Sequence, residues 1–281
     1  MNIAVLLATF NRKDKTITCL DSLYSQDLPE DIKLSVFLTD DNSKDGTRDA
    51  LHKLYPQVHV FHGSGNLFWA GGMRNSWTQA TKTNPDYYLL LNDDTLLERN
   101  AIKNLLAYYT LHGTVPNALV IGSTIDAANN EISYGGRRLY NQKKVQNHTA
   151  YSETEYVNCD MANANIMLVP NEVVKKIGIL SDQYTHSIAD FDYTLRAKKA
   201  GFKAVVVPGI LGSCVDDHGN NWKSAQVSLK ERINYLKSPK GLAYKEYMYF
   251  IKTHFPSHVP EAFVKLWMKT LFPVVWDKFK R

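Results

Sequence analysis

Apolar residues along this chain fall into short runs separated by polar turns, and the spacing inside the runs alternates between two kinds. Ile3 to Ala8 and Tyr87 to Leu91 are unbroken apolar stretches, the pattern of strands buried on both faces. Leu34 to Leu38, Val58 to Phe61, Ala118 to Ser123, Ile166 to Val169 and Ala204 to Val207 read the same way. Between them the period changes to that of helices: Asp14 to Tyr24 places Ile17, Leu20, Leu23 and Tyr24 on one face. Thr47 to Leu54 is predicted helical with Thr47 as cap, and Met73 to Thr81 follows a glycine-rich loop, Gly63 to Gly72. Ala101 to Leu111, Asn171 to Ile177 and Asp190 to Ala200 complete the helices of the first three quarters. Ile125 to Asn158 is polar and predicts only a strand-and-loop excursion.

Alternation of strand and helix implies an α/β fold with a mostly parallel sheet covered on both faces. Ligands of such sheets bind beyond the carboxyl ends of the strands. Beyond Cys214 the character changes: Ser228 to Phe250 is helical with a break near Pro239-Lys240-Gly241, and Pro260 to Lys280 is amphipathic with Pro273 inside it. The expected division is therefore residues 1–215 as the ligand-binding α/β domain and 216–281 as a helical appendage.

The length, 281 residues, suits that division, and the formal charge of +5 fits an anionic ligand or membrane surface without arguing for nucleic acid. Three scattered cysteines, Cys19, Cys159 and Cys214, offer neither a disulfide framework nor zinc spacing and fit a reducing, cytoplasmic compartment. No apolar run approaches the roughly 20 residues of a spanning helix, and the opening MNIAVLLATFNR reads as a strand rather than a leader. Asn147-His148-Thr149 matches a glycosylation string that would be idle in such a compartment.

Candidate chemistry lies where strands stop. Tyr87 to Leu91 ends at Asn92-Asp93-Asp94-Thr95, and adjacent carboxylates are costly to bury unless a cation with a taste for oxygen ligands joins them. A metal so held would grip a diphosphate. The second strand ends at Thr39-Asp40-Asp41, where a carboxylate can accept from a pyrimidine N3–H or a ribose hydroxyl, with Thr9 next door. The segment GSGNLFWAGGMRNSW allows close backbone approach to a phosphate through its glycines, including Gly72, and offers Arg74 as a diphosphate partner; it matches neither a dinucleotide fingerprint nor a Walker loop. Asp190, opening a helix in SIADFDYTLRAKKAGF, is placed to act as a general base, although Asp190 or Asp192 also suits a helix cap. His218, in SCVDDHGNNW, is a candidate metal or diphosphate ligand, and Asp160 and Trp222 are candidates on the acceptor side.

Taken in order, ATFNR, TDDNSKDGT, LLLNDDT and ADFDYTLRAKKAGF resemble a family 2 glycosyltransferase with the GT-A fold, and NLFWAGGMRNSW with the later His-Gly resembles its bacterial rhamnosyltransferase-like branch. The resemblance implies inverting transfer from a nucleoside diphosphate sugar, dTDP- or UDP-linked, assisted by Mg²⁺ or Mn²⁺. It implies that Thr9 and Asp41 hold the base, with Asn11, Arg12, Gly72 and Arg74 on the donor side. It makes Asp93 the ribose neighbour, Asp94 and His218 metal ligands, and Asp190 the catalytic base. The acceptor implied is a glycan or polyprenyl-linked glycan of bacterial surface polysaccharide synthesis. Two departures stand out: Ala189 where the family usually has Glu, and Asn163 where many members have Gly.

In the tail, Phe263, Leu266, Trp267, Leu271, Val274 and Val275 form an apolar stripe with Lys265, Lys269, Lys278, Lys280 and Arg281 around it. It suits an anionic membrane face, the domain itself or a second subunit. A sugar nucleotidyltransferase is the alternative of the same fold, disfavoured because ATFNRKDK lacks glycines where a phosphate loop belongs. A nucleotide-sugar-binding module without turnover is the third reading.

Overall fold

The computed structural model describes residues 1–113, 117–215 and 227–279. Its main sheet is built on β1 (Asn2–Thr9), with β2 (Lys33–Asp40) and β3 (His59–His62) on one side and β4 (Tyr87–Leu91) on the other, all parallel. Helices α1 (Lys13–Tyr24), α2 (Thr47–Leu54) and α3 (Phe68–Thr81) connect them. After the short β5 (Leu96–Leu97) and α4 (Ala101–His112), strand β6 (Ala118–Asp126) continues into the excursion. There the polar segment forms β7 (Glu131–Tyr134), β8 (Gly136–Leu139), β9 (Asn147–Ala150), β10 (Val157–Asn158) and β11 (Met161–Ala162). Then come β12 (Ile166–Pro170), α5 (Asn171–Ile177), α6 (Ala189–Lys199) and β13 (Lys203–Ser213). The strand order is β10-β13-β6-β12-β4-β1-β2-β3, and β11-β8-β9 form a separate small sheet.

The central sheet is mainly parallel, as expected, and carries antiparallel members. Strand β12 runs antiparallel to both β4 and β6, with Ile166 opposite Leu91. The reversal matters for function, because it brings the residues preceding β12, Asn163 to Asn165, to the carboxyl edge of β4; Asn92 N–H donates to the Asn165 carbonyl at 3.2 Å.

Side chains alternate across the sheet as a period of two requires. Ile3, Val5, Leu7, Leu89 and Leu91 face α1, α2 and α4 through Leu20, Leu23, Leu51 and Leu105. Ala4, Leu6, Tyr88 and Leu90 face α3, α5 and α6 through Met73, Trp77, Val173 and Tyr193. Trp77 is the keystone of the second layer: its ring lies 5.7 Å from that of Tyr88 and 5.1 Å from that of Tyr193. That contact sets α6, which carries Asp190, against the strand that ends in Asp93.

The C-terminal helices α7 (Leu229–Lys237), α8 (Tyr244–His254), α9 (Val259–Leu271) and α10 (Pro273–Phe279) close over the same layer. Phe250, Ile251, Phe255 and Ala262 belong to its buried cluster. Ion pairs add to the attachment: buried Asp192 accepts from His254 Nε2 at 2.8 Å and from Arg196 Nε at 2.7 Å, and Lys144 meets Glu261 at 2.9 Å. Pro273 begins α10 rather than interrupting a longer helix, as its missing N–H favours.

Candidate active site

The ends of β1, β2 and β4 lie level, with Thr9 opposite Asp40 and Leu6 opposite Leu90. The loops that follow therefore share one edge, where a cleft of about 550 Å³ opens. Thr9, Arg12, Asp41, Asp93, Asp94 and Asp190 line it together, along with Phe68, Trp69, Asn92, Asn163, Asn165 and Lys240.

Two loops are buttoned together beside it. Asn11, at a φ of 52°, receives Ser43 Oγ as acceptor of its N–H at 2.8 Å, and its own Oδ1 accepts from Lys44 N at 2.7 Å. Asp45 accepts from Lys13 N at 2.9 Å and from the Thr47 hydroxyl at 2.6 Å, so Asp45 rather than Thr47 organises the start of α2. The dense polar string DDNSKDGT is used in this way, as a latch on the β1 loop. Asn11 acts through that latch and is not among the cleft-lining residues.

Asp41 lines the cleft, but its carboxylate already serves the protein. It accepts from Gly65 N at 2.7 Å, Leu67 N at 2.8 Å and Phe68 N at 3.2 Å. Of the roughly four lone-pair sites on a carboxylate, three are taken. A side chain from another strand therefore caps α3, which lets the helix begin at Phe68, five residues before the expected Met73. The approach is close: a Cβ on Gly63 would stand 2.5 Å from Asp41 Oδ1. The expected phosphate cradle at this helix start is thus filled by Asp41.

Two donor-side expectations are corrected. Gly72 sits inside α3, buried against β1, where a Cβ would meet Ala8 Cβ at 2.7 Å; it permits helix–strand contact and does not line the cleft. Arg74 turns away from the cleft and donates through one nitrogen to the carbonyls of Ser181 and Tyr184, at 2.8 and 2.7 Å. On the acceptor side, Asp160 is buried in a separate arrangement, accepting from Leu139 N at 2.8 Å and from the Lys198 ammonium. Burial pushes its carboxyl upward, but the hydrogen bonds from Lys198, Leu139 and Gln142 and the Lys198 charge together outweigh this and hold it below the usual range. It is not among the cleft-lining residues. His218 and Trp222 lie outside the described residues.

The acidic pair forms the floor. Asp93 and Asp94 share one guanidinium nitrogen of Arg12, at 3.2 and 2.6 Å, and Lys15 Nζ stands 3.8 Å from Asp94. Thr16 Oγ1 lies 3.4 Å from Asp93 Oδ2 and 2.9 Å from Thr9 Oγ1, so Thr9 supports Asp93 from below. Burial raises the Asp93 carboxyl to about 6 against the pull of Arg12, with Asp94 adding to the rise. Two thiols missed by sequence reasoning lie underneath: Cys214 Sγ is 3.5 Å from Asp94 Oδ1, and Cys19 Sγ is 3.3 Å from the Asn92 carbonyl. Burial, then the Asp94 charge, pushes the Cys214 thiol to about 12, so it stays a neutral donor. Asn92 itself accepts from Trp69 Nε1 at 2.8 Å, which fixes the indole as a wall.

Asp190 opens α6 on the opposite side. Its oxygens accept from Phe191 N at 2.9 Å and Ala164 N at 3.2 Å. Burial lifts the carboxyl to about 6 despite those amides and the Asn163 side chain, which lower it. Asn163 thus touches Asp190 directly. Asp192 is no helix cap; it makes the buried pairs with His254 and Arg196. The residue before α6 on its N-terminal side, Ile188, holds φ 58°, an unusual backbone for a β-branched side chain, and also lines the cleft.

Among the described residues no cluster of three or more His, Cys, Asp and Glu could hold a metal on its own. The paired carboxylates at the cleft floor nevertheless suit Mg²⁺ or Mn²⁺, which take one or two carboxylates and complete their shell with phosphate oxygens and water.

Comparison with known proteins agrees with this architecture. The chain is 24% identical over 234 residues to galactofuranosyltransferase GlfT2 of Mycolicibacterium smegmatis, covering 74% of this chain and 36% of that protein. The chain thus spans little more than a third of that relative. It is 21% identical over 265 residues, 90% of this chain and 77% of the other, to a dolichyl N-acetyl-alpha-D-glucosaminyl phosphate 3-beta-D-2,3-diacetamido-2,3-dideoxy-beta-D-glucuronosyltransferase of Methanococcus voltae. Among solved structures, mannosyltransferase PcManGT from Pyrobaculum calidifontis, in complex with GDP-Man and Mn²⁺, superposes with a TM-score of 0.55 at 17% identity, over 84% of this chain and 61% of that one. S. aureus TarS in complex with UDP-GlcNAc gives 0.56 at 15% identity, over 96% and 80%. These structures share the GT-A fold with the chain. The family model described as glycosyl transferase family 2 matches residues 4–166, more than half of the sequence and all of the edge from Thr9 to Asp94, and the chain belongs to that family.

Proposed function

We propose that the protein is an inverting glycosyltransferase that moves a sugar from a nucleoside diphosphate sugar to a hydroxyl of a glycan or lipid-linked glycan acceptor in bacterial surface polysaccharide synthesis. The observation that carries this reading is the shared cleft: the Asp93–Asp94 pair and Asp190 line one cavity from opposite sides. Residues 1–215 hold the donor and the base. The C-terminal helices from Leu229 onward bound the acceptor side, and Lys240 lines the cleft.

Asp94, with Asp93 beside it, would hold a divalent cation. When bound, that cation supplies Lewis-acid neutralisation of the departing diphosphate. Thr9 supports Asp93, and Asp41, which lines the cleft with an acceptor site to spare, would meet the nucleoside. Asp190 takes the proton of the acceptor hydroxyl as it attacks the anomeric carbon from the face opposite the diphosphate. A carboxyl raised to about 6 is ionised at neutral pH and still basic enough for that work. A single carboxylate is enough, since the leaving group needs charge neutralisation rather than a proton. Rhamnose is the sugar we propose: Phe68, Trp69, Ile188 and Phe191 give the cleft an apolar wall suited to a 6-deoxy methyl group.

The acceptor is proposed to be lipid-linked because of the tail. Phe263, Val264, Leu271, Phe272, Val274 and Val275 are exposed on α9 and α10, while Ala262, Leu266 and Thr270 of α9 are buried. With Lys265, Lys269 and Lys278 nearby, this face suits the headgroup region of an anionic membrane. Among the described residues no helix is long and apolar enough to cross one. The test of the main reading is to incubate the protein with Mn²⁺, dTDP-rhamnose or a UDP-sugar, and a polyprenyl-linked glycan. Released nucleoside diphosphate and a product of inverted anomeric configuration by NMR are expected. Absence of release with every donor, together with no nucleotide binding, would overturn it.

A further inference from the structure

The cleft floor carries its own counter-ions. Two carboxylates, whose side chains are 6% and 11% exposed, face one guanidinium within hydrogen-bond distance and one ammonium within 4 Å. Among the described residues these four charges balance. Adding a divalent cation alone would leave the floor over-positive, with a guanidinium at contact distance from the ion. Adding a diphosphate alone would set its charges against two carboxylates. Adding both keeps the balance, provided the guanidinium leaves the carboxylates and meets the phosphates.

Arg12 is built to make that exchange. It is the residue preceding α1, and its backbone carbonyl is tied down by Thr16, so the base of the side chain is fixed. The side chain itself is 40% exposed at the mouth of the cleft and lines it. Its head can therefore swing without opening the core. A guanidinium is also the group suited to a carboxylate pair and to a diphosphate in turn, through its planar fork of donors.

We propose that Arg12 is a resident counter-ion that couples cation and donor binding: it occupies the carboxylate pair until a divalent cation arrives with a diphosphate, then transfers to the phosphate oxygens. This rests on the proposed function. Its consequence is positive linkage. The protein alone takes up Mn²⁺ weakly, and UDP strengthens uptake because Arg12 is drawn away.

The experiment measures free Mn²⁺ by electron paramagnetic resonance at pH 8, with and without UDP, for the full chain and for Arg12→Gln and Arg12→Lys, with thermal melts to verify folding. In Arg12→Gln, Mn²⁺ uptake without UDP is expected to tighten about tenfold, the scale of one partly screened charge at contact. The enhancement by UDP is expected to shrink by about the same factor. Arg12→Lys, which keeps the charge, is expected to retain most of the enhancement. If Arg12→Gln leaves Mn²⁺ uptake unchanged or weaker while UDP enhancement persists, the counter-ion role is wrong and the proposed function stands. If Arg12→Gln fails to fold, Arg12→Met takes its place with the same expectation, and Mn²⁺ uptake without UDP that is no tighter in that folded variant overturns the counter-ion role. If the unaltered protein takes up Mn²⁺ neither with nor without UDP or dTDP, the counter-ion role falls, and the nucleotide-release assay decides the proposed function separately.

Discussion

Replacing Asp190 by Asn should abolish transfer and make the protein more heat-resistant, a pairing that a merely structural aspartate would not give. The carboxyl is raised from 3.8 to about 6 by burial. At about 1.36 kcal/mol per unit, keeping it ionised in the folded state costs at most about 3 kcal/mol at pH 8. The sign follows from proton linkage. Between the unfolded and folded values the native chain binds the proton more tightly, so stability is greatest below the unfolded value. It declines as pH rises through the window, and the full cost is present above about 6. Asn removes the charge but has a single acceptor oxygen. One of the two amides now satisfied, Phe191 N or Ala164 N, would face its NH₂ instead. That loss is about 1 kcal/mol. The net gain at pH 8 is therefore about 1–2 kcal/mol, a rise in melting temperature of roughly 2–6 °C. At pH 3.5 the charge term is gone and the variant should melt below the unaltered protein. Turnover should fall by about 10²–10⁴-fold, the share of a general base, with UDP affinity unchanged. Scanning calorimetry at the two pH values and a nucleotide-release assay read both arms. Full turnover in the variant, or a melting difference of the same sign at both pH values, would refute the assignment. The unaltered enzyme should show kcat falling about tenfold per pH unit below the group's value near 6.

Three further outcomes follow from the geometry. Asp94→Asn should abolish the Mn²⁺ dependence of UDP binding, read by calorimetry with and without chelator; equal affinities in both proteins would count against the paired-carboxylate site. Gly72→Ala pushes a methyl to 2.7 Å from Ala8 Cβ and should cost about 1–3 kcal/mol in urea unfolding, with UDP affinity retained in the folded fraction. Phe272→Ser combined with Val275→Ser alters exposed side chains only, so flotation on anionic liposomes should drop while the melting temperature holds; unchanged flotation would remove the membrane face. Point substitutions serve better here than removal of the tail, because Ala262 and Phe255 belong to the buried cluster of the catalytic layer.

Much of this was legible locally. Tyr87–Leu91 and Asn171–Ile177 have the bounds their patterns predict, since each is set by its own run and by the turn residues beside it, and α2 ends at Leu54 as expected although Thr47 is its first residue rather than its cap. What local pattern does not carry is direction and partnership. The run Ile166–Pro170 declares a strand, but nothing in it declares that the strand runs against its neighbours. Glycines 71 and 72 read as loop because their local cost in a helix is real. They lie in α3 because Asp41, on another strand, caps it and because Ala8 leaves no room for a side chain. Arg74 looked like a phosphate ligand from its neighbours in sequence, while its actual partners stand more than a hundred positions away.

The same distinction separates the acidic residues of the site. Asp93 and Asp94 follow β4 and Asp190 opens α6, and the topology alone was enough to bring them together at one edge. Asp41 comes from the same edge, yet three backbone amides from the next loop claim its oxygens. Asp160 follows the small-sheet excursion, where Lys198 reaches it from the far part of α6. A carboxylate at a strand end is thus available for chemistry only to the extent that the protein's own donors leave it so. Asp93 and Asp94 are met by the side-chain cations Arg12 and Lys15, 40% and 48% exposed, whereas Asp41 is met by three backbone amides of the next loop. Satisfaction by exposed side chains rather than by backbone is the physical mark that sets the acidic pair apart from Asp41.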